Sequence, residues 1–179
     1  MVMGVTGTGK STVACALAER LAWRFAEGDD LHPPANVAKM RSGEPLTDAD
    51  RWPWLQRIAD WVGQGEAADH DGVVTCSALK RGYRDLLRGG HPSVRFVQLT
   101  APRELLAERL RQRWGHYMPA LLLDSQLADL QQLDADEPGV AVSGDGSPEE
   151  VLARVLSGLG GRSPNRLPPG ASSRHLPAS

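Results

Sequence analysis

Residues 4–11 constrain the fold of this chain more than any other stretch. They read G-x-x-x-x-G-K-S and stand between an apolar run, residues 1–3, and a helical pattern. A strand end, a glycine loop and a helix start, in that order, are what a phosphate-binding loop requires. Glycines let backbone N–H groups turn inward around an anion, and the helix N-terminus adds positive charge. The alternative is a glycine-rich turn that only happens to precede a helix, but the spacing and flanks favour the phosphate loop.

The residue types in this loop also predict its ligands. Lys10 is expected to contact the β- and γ-phosphates of a nucleotide, and the Ser11 hydroxyl is expected to bind Mg²⁺. We therefore predict ATP and Mg²⁺ as cofactors. The predicted ATP-binding residues here are Gly4, Thr6, Gly7, Thr8, Gly9, Lys10, Ser11 and Thr12.

Composition excludes several classes of protein. The 179 residues suffice for one domain, and 41% apolar with 23% charged residues is typical of a soluble globular protein. A net charge of -2 gives no reason to expect nucleic acid or an anionic membrane as a partner. Two cysteines cannot make a disulfide framework, and no apolar run approaches the ~18 residues of a membrane span. These features predict a cytoplasmic protein.

Strand and helix patterns alternate five times along the chain. This alternation predicts an α/β fold of three α/β/α layers, with a five-stranded parallel sheet that carries the phosphate loop. The predicted strands are residues 1–3, 23–28, 73–76, 94–99 and 139–143. Either the first strand is unusually short or the native start lies upstream of Met1. We assign residues 1–159 to the kinase domain and expect residues 160–179, rich in Gly, Pro, Ser and Arg, to be a disordered tail.

Capping and breaking residues predict the helix boundaries. Capping boxes are expected at residues 47–50 and 147–150, each opening a helix. Ser77 is expected to cap another helix. The predicted helices are residues 10–22, 35–41, 48 to about 63, from 78, 102–114, from about 124, and from 148.

Acidic residues follow the second predicted strand, where ligands bind in open α/β sheets. Asp29 and Asp30 are adjacent and cannot point the same way, so they can divide the work. One would face Mg²⁺ or its waters, with Asp29 preferred, and the other would face a substrate hydroxyl and accept its proton. Which one is the base stays open, and both can alternatively be capping acids. His32 in the same loop is a weaker candidate for substrate binding.

Basic residues follow the third predicted strand. Lys80 and Arg84 lie one turn apart with Arg81 beside them, and like charges at this spacing repel unless an anion compensates them. A solvated surface is the alternative. Cys76, at the strand end, is expected to be inert. No acid ends this strand, so the metal needs another ligand.

Paired arginines precede an aperiodic segment after the fourth predicted strand. Arg109 and Arg113 lead into residues 114–123, which we predict to be a mobile lid. Closing it would place positive charge over the transferring phosphoryl group and exclude water. Arg113 is thus a catalytic candidate and Arg109 an ATP-binding one. The alternative is that both arginines only balance Glu104 and Glu108.

Together these motifs resemble the gluconokinase family, over nearly everything from Met1 to about Leu159. The most specific matches are the strings E-G-D-D-L-H-P from residue 27, P-L-T-D from 45, D-R-W-P-W-L from 50, C-S-A-L-K-R from 76 and L-D-S-Q from 123. The match continues through Y-R-D from 83, and through G-H at 115–116 with M-P at 118–119.

The resemblance implies a nucleoside-monophosphate-kinase-like fold and ATP-dependent phosphorylation of D-gluconate to 6-phospho-D-gluconate, a carbohydrate kinase activity, commonly by a homodimer. It also implies that basic residues pair with the gluconate carboxylate. The substrate-binding residues expected on this basis are Asp30, His32, Lys39, Lys80, Arg81, Arg84, His116 and Gln126.

The chain departs from the family pattern in three places. The first strand is shorter than usual, Trp114 stands where the family commonly has Lys, and the tail is extra. Other functions left open are a related P-loop kinase of the shikimate or nucleotide type, and a nucleotide-dependent binding switch. The D-x-x-G string at residues 69–72 could suit a switch, but it precedes a strand, and no N-K-x-D motif occurs.

Overall fold

The computed structural model describes residues 1–114 and 119–160, except for the side chains of residues 113–122. Strands and helices alternate through this part of the chain, as the sequence predicts. A 3₁₀ turn follows the second strand. The elements are β1 (Val2–Met3), α1 (Lys10–Leu21), β2 (Arg24–Ala26), the 3₁₀ turn (Gly28–Leu31), α2 (Pro34–Arg41), α3 (Asp48–Ala67), β3 (Gly72–Cys76), α4 (Arg81–Arg88), β4 (Phe96–Thr100), α5 (Arg103–Trp114), α6 (Pro119–Asp129), β5 (Gly139–Ser143) and α7 (Pro148–Gly160).

The strands form one parallel sheet in the order β2-β3-β1-β4-β5. The predicted five-stranded parallel sheet is therefore confirmed. β1 has only two residues, yet it is the central strand: Val2 lies opposite Thr75 on one side and Val97 on the other. Because its neighbours are five residues long, they hold this short strand in place. The loop after β1 thus emerges from the middle of the sheet's carboxyl edge.

Successive residues of the strands pack on opposite faces of the sheet. Val2 and Val73 join a cluster with α1 and α7, whereas Met3 and Val74 join a cluster with α3 and α4. This alternation follows from the two-residue period of a strand. The two clusters form the two cores of a three-layer α/β/α structure, which confirms the predicted architecture.

Both predicted capping boxes are confirmed. The Thr47 hydroxyl accepts a hydrogen bond from the Asp50 N–H, and the Asp50 carboxylate accepts one from the Thr47 N–H. Ser147 and Glu150 exchange the same pair of bonds at the start of α7. Each box satisfies N–H groups that have no partner within the helix.

Three predicted boundaries are wrong. Ser77 caps nothing, because α4 begins at Arg81 with Lys80 as its N-cap. The residues between are held out of the helix: Ala78 has a φ of 43°, and the carbonyls of Ala78 and Leu79 accept hydrogen bonds from Arg84. α3 continues past residue 63 to Ala67, and α6 begins at Pro119 instead of near residue 124.

Two predicted segments lie partly outside the described residues. These are the lid, whose residues 115–118 are not described, and the tail, of which only residue 160 is described. Their behaviour stays a prediction. Among the described helices, none combines the length and the apolar character needed to span a membrane.

Candidate active site

The phosphate loop connects β1 to α1 and is shaped by glycines and by contacts to its own carbonyls. Gly4 has a φ of 139°, and a Cβ there would lie 2.6 Å from the Leu99 carbonyl oxygen, so only glycine fits. Thr8 Oγ1 and Lys10 Nζ both donate to the Val5 carbonyl, at 2.9 and 3.1 Å. The Lys10 ammonium is thus held inside the curve of the loop, where a phosphate would sit.

Arg109 of α5 packs against this loop. Its guanidinium donates to the Gly7 carbonyl at 3.4 Å and to the Gly144 carbonyl at 2.9 Å. It borders a cleft of about 280 Å³, which is also lined by loop residues, Thr12 and the start of α7. Glu108, its alternative partner, pairs with Arg111 instead. Arg109 therefore lies where a nucleotide bound to the loop would extend.

Gln126 of α6 reaches the loop from another side. Its Oε1 accepts a hydrogen bond from the Thr6 N–H at 2.7 Å. This contact joins residues 120 positions apart in sequence. The predicted substrate-binding glutamine thus stands beside the phosphate loop, at an N–H group that the glycine motif presents.

The acidic turn after β2 is clamped between β3 and α3. The Gly28 N–H donates to Thr75 Oγ1 at 3.0 Å, and Trp54 Nε1 donates to the Gly28 carbonyl at 2.7 Å. A Cβ at position 28 would lie 1.9 Å from the Thr75 carbonyl oxygen, so no larger residue fits without movement. Two remote segments therefore fix the backbone that carries Asp29 and Asp30.

Asp29 and Asp30 are exposed, and within the described part of the chain neither carboxylate has a hydrogen-bond or ion-pair partner. Burial raises the pKa of the Cys76 thiol to about 12, and the Asp29 charge adds to that shift. Lys10 acts on the same thiol in the opposite direction. The charge of Asp29 thus acts on the thiol at the carboxyl end of β3, as the charge of Lys10 does from the phosphate loop. Cys76 is buried and inert, as predicted.

His32 is held as a neutral hydrogen-bond donor. Its ring is buried and stacks on Trp54 with 4.2 Å between ring centroids. The Asn36 amide nitrogen donates to the Asp50 carbonyl and lies 3.3 Å from His32 Nδ1, which leaves the proton of the neutral ring on Nε2. Burial lowers the pKa of His32, and this outweighs the raising effect of Asp29. The ring therefore offers an N–H at neutral pH.

Arg84 was predicted to contact the substrate, and its placement contradicts that prediction. It is 1% exposed. Its guanidinium pairs with Glu137 at 2.6 and 2.8 Å, and its other N–H groups donate to four backbone carbonyls. No donor is left for an anion. Arg84 joins the loop after β3 to the segment after α6, and the sequence spacing of 53 residues to Glu137 gave no sign of this pair.

The other predicted substrate cations are exposed or half-buried, and each is paired with acids. Lys39 pairs with Asp50 at 2.7 Å, and Lys80 pairs with Asp48 at 2.9 Å. Arg81 contacts a group of acids on its own helix and after α6, namely Asp85, Asp134 and Asp136. These pairs neutralise most of the positive charge that the sequence places beside the acidic turn.

A further group of side chains, on the first turns of α3 and on α4, was not predicted from the sequence. Arg51 is half-buried there, and the Tyr83 hydroxyl donates to Asp48 at 2.5 Å. Trp52, which is 40% exposed, meets Tyr83 edge to face at 5.4 Å. The signal that could have found them is the D-R-W-P-W-L string. It is one of the matches to the gluconokinase family, but the string alone does not indicate what its arginine binds.

Ser11 and Asp29 are the predicted protein ligands of Mg²⁺, and their small number suits this ion. The described residues contain no group of three His, Cys, Asp or Glu side chains able to hold a metal ion. A magnesium ion commonly takes one or two protein ligands and completes its shell with phosphate oxygens and water. Ser11, exposed in the first turn of α1, has no partner among the described residues, and it fits that need. His116 and the Arg113 side chain lie outside the description.

Comparison with known proteins agrees with this arrangement. A family model described as an AAA domain matches residues 1–133. Gluconokinase of Gluconobacter oxydans (strain 621H) is 54% identical over 156 residues, covering 87% of this chain and 88% of that protein. The solved structure of a gluconokinase from Sinorhizobium meliloti 1021 has a TM-score of 0.80 and 46% identity, covering 89% of each chain. Shikimate kinase from Aquifex aeolicus, at 19% identity and a TM-score of 0.59, covers 89% of this chain and 94% of its own and shares the fold. At this level of identity and coverage, the chain belongs to the gluconokinase family.

Proposed function

We propose that this protein is a gluconokinase, which transfers the γ-phosphoryl group of ATP to the 6-hydroxyl of D-gluconate. Relatives named gluconokinase match over most of the chain. The observation that carries the proposal is that an intact phosphate loop and a clamped turn lie at the same edge of the sheet. That turn presents two exposed carboxylates, Asp29 and Asp30, which have no hydrogen-bond or ion-pair partner among the described residues. ATP is the phosphoryl donor, and 6-phospho-D-gluconate and ADP are the products.

The reaction is an in-line displacement at the γ-phosphorus. A bond forms between this phosphorus and the substrate oxygen, the bond to the bridging oxygen of ADP breaks, and the hydroxyl proton passes to a carboxylate. Asp29 is assigned to accept it because its charge and that of Lys10 act on the same thiol at the end of β3, whereas Asp30 is assigned to position the acceptor hydroxyl. The His32 N–H is a second donor for an acceptor hydroxyl.

The donor side is held by this chain's own charges and backbone dipoles. Lys10 and the loop N–H groups hold the phosphates, and Arg109 borders the nucleotide. Mg²⁺, held by Ser11 with Asp29 nearby, would neutralise charge on the phosphate oxygens when bound. Residues 114–123 form a lid that closes over the transferring group. His116 acts from within this lid, and Arg113 acts from the position just before it.

The working form that we propose is a homodimer in the cytoplasm. It rests on the family resemblance. Lys39, Lys80 and Arg81 stand at the rim of the acceptor side. Because acids neutralise their charge, we expect them to attract the substrate carboxylate only weakly.

A coupled assay of ADP release tests the substrate. We expect turnover with D-gluconate and none above background with shikimate or nucleoside monophosphates. Turnover with one of those acceptors, and none with gluconate, would refute the substrate while leaving the phosphate loop intact.

Separate Asp29→Asn and Asp30→Asn variants test the acid pair. Loss of a general base lowers kcat by about 10²- to 10⁴-fold, so the larger loss is expected at Asp29. Asp60, an exposed acid on α3, provides the control Asp60→Asn. The assignment fails if both active-site variants keep the kcat of the control.

A further inference from the structure

The positive charges around the acidic turn differ in whether they have partners. Lys39, Lys80 and Arg81 are each paired with acids, and Arg84 is buried against Glu137. Arg51 differs from these four. Among the described residues it makes no side-chain hydrogen bond or ion pair, although it is half-buried.

Its position on α3 directs Arg51 toward the acceptor side. Residues three apart on a helix share a face, so Arg51 lies between Asp48 and Trp54. Asp48 bonds to Tyr83, and Trp54 holds the Gly28 carbonyl and stacks on His32. Arg51 is thus one helical turn from the residues that form the acidic turn and its walls.

The reach of its charge agrees with that position. The positive charge of Arg51 lowers the pKa of both Asp48 and His32. Its effect is smaller than that of the hydrogen bonds at Asp48 and smaller than that of burial at His32. It also opposes the rise that burial causes in the pKa of Tyr83 and of Cys76. The charge of Arg51 therefore acts on groups of α3, α4, the end of β3 and the residue after the acidic turn, which agrees with its place on the first turns of α3.

A half-buried guanidinium carries five N–H donors in a rigid fork, and its ideal partner is a carboxylate bound by two parallel hydrogen bonds. The protein supplies no such partner to Arg51 within the described residues. We propose that Arg51 binds the carboxylate of the sugar-acid substrate and makes the site selective for acids over neutral sugars. This inference rests on the proposed function.

The nucleotide phosphates are the other anions that Arg51 could meet, and the geometry favours the substrate. The phosphate loop already presents Lys10, and Arg109 lies along its far side. Arg51 instead lies on α3 beside Tyr83 and His32, which belong to the acceptor side. A role in binding phosphate would appear as a changed KM for ATP.

Steady-state kinetics of Arg51→Met test the proposal. We expect the KM for gluconate to rise about 10- to 100-fold, because a hydrogen-bonded pair of charges is lost, while the KM for ATP changes less than about twofold. Arg51→Lys keeps the charge but not the fork of N–H donors. Its KM for gluconate should therefore lie between those of the unmodified protein and Arg51→Met. Arg20→Met is the control, an exposed cation in the last turn of α1 that belongs to neither side of the active site, and it should change the KM for gluconate by less than about twofold.

Two results would overturn the proposal. One is an unchanged KM for gluconate in Arg51→Met, and the other is an equal rise in the KM for ATP. Thermal unfolding of each variant distinguishes a folding defect from a loss of substrate binding. If Arg51→Met does not fold, Arg51→Lys still tests the proposal. If the unmodified protein fails to phosphorylate gluconate, the proposed function is wrong, and that result is distinct from either outcome at Arg51.

Discussion

The two halves of the active site are built in different ways. The phosphate side consists of consecutive residues, 4–12, whose shape comes from glycines, the helix start and bonds to their own Val5 carbonyl. The acceptor side is assembled from segments far apart in sequence. There Thr75 holds Gly28, Trp54 holds the same residue from α3, and Arg84 joins the loop after β3 to Glu137.

This difference decides which residues keep their charge for a ligand. On the phosphate side, Lys10 can be identified from its place in the motif alone. On the acceptor side, Arg81 and Arg84 look alike in sequence, yet one is half-buried in a rim of acids and the other is fully buried. A cation's role in this half depends on which acids the fold brings to it. The following predictions test that contrast.

The largest effect is expected from separating the buried pair. Arg84→Met leaves Glu137 charged and without its partner in a nearly closed environment, which typically costs about 3–5 kcal/mol of unfolding free energy. Arg81→Met removes a charge from the more exposed group of acids, where solvent screens the interaction, and should cost clearly less than Arg84→Met. Urea unfolding of the two variants measures both. Equal losses would show that the two arginines are not distinct in role.

The next effect is on catalysis at the phosphate side. Lys10→Met removes a charged donor to the transferring group, and loss of one such donor lowers kcat by about 10²- to 10³-fold. The thermal unfolding temperature should change little, because the ammonium group lies at the phosphate loop and its hydrogen bond to the Val5 carbonyl is a single contact to the backbone. Arg20→Met, an exposed cation at the other end of the same helix, is the control. Normal kcat in Lys10→Met would contradict the phosphate-loop assignment.

A smaller loss of stability is expected at the clamp of the acidic turn. Gly28→Ala places a methyl group 1.9 Å from the Thr75 carbonyl oxygen, and such overpacking costs about 1–3 kcal/mol. Gly82→Ala in α4 meets only Trp52 at 3.9 Å and should gain about 0.5–1 kcal/mol, since alanine favours the helix. Urea unfolding compares the pair. A tolerated alanine at position 28 would mean that the turn is not clamped.

The capping boxes should contribute less. Thr47→Ala removes the hydroxyl that accepts from the Asp50 N–H at the start of α3, at a cost of about 1 kcal/mol. Ser147→Ala makes the same change in α7 and should cost the same within experimental error. Because α3 carries Arg51 and Trp54, only the Thr47 variant should also raise the KM for gluconate. A rise with both variants would indicate general loosening of the fold.

The smallest effect is the pH dependence that Asp50 contributes. Hydrogen bonds from Lys39, and then from Thr47, lower the pKa of Asp50 to about 2. A lowered pKa in the folded state means that this stabilisation is complete above the unfolded pKa, near 4, and is lost as the pH falls toward 2. Between pH 5 and pH 2.5, roughly, the protein should lose more stability than its Asp50→Asn variant. Parallel curves for the two would contradict the prediction.

Much of the fold could be predicted from the sequence because its signals are local. The strand at residues 139–143, the capping box at residue 147 and the phosphate loop each depend on neighbours within a few residues, and the structure has all three. The boundary at Ser77 could not be predicted. Its cause is Arg84, which holds the carbonyls of Ala78 and Leu79 outside α4.

The sequence by itself determined the phosphate side, the parallel α/β sheet and the resemblance to the gluconokinase family, because consecutive residues carry those features. Only the tertiary structure decided which cations remain without partners on the acceptor side. Electrostatic pairing depends on distance in space, and Arg84 meets Glu137 across 53 positions of sequence. Arg51 was inconspicuous in the sequence, and it became a candidate because the fold pairs Lys39, Lys80, Arg81 and Arg84 with acids.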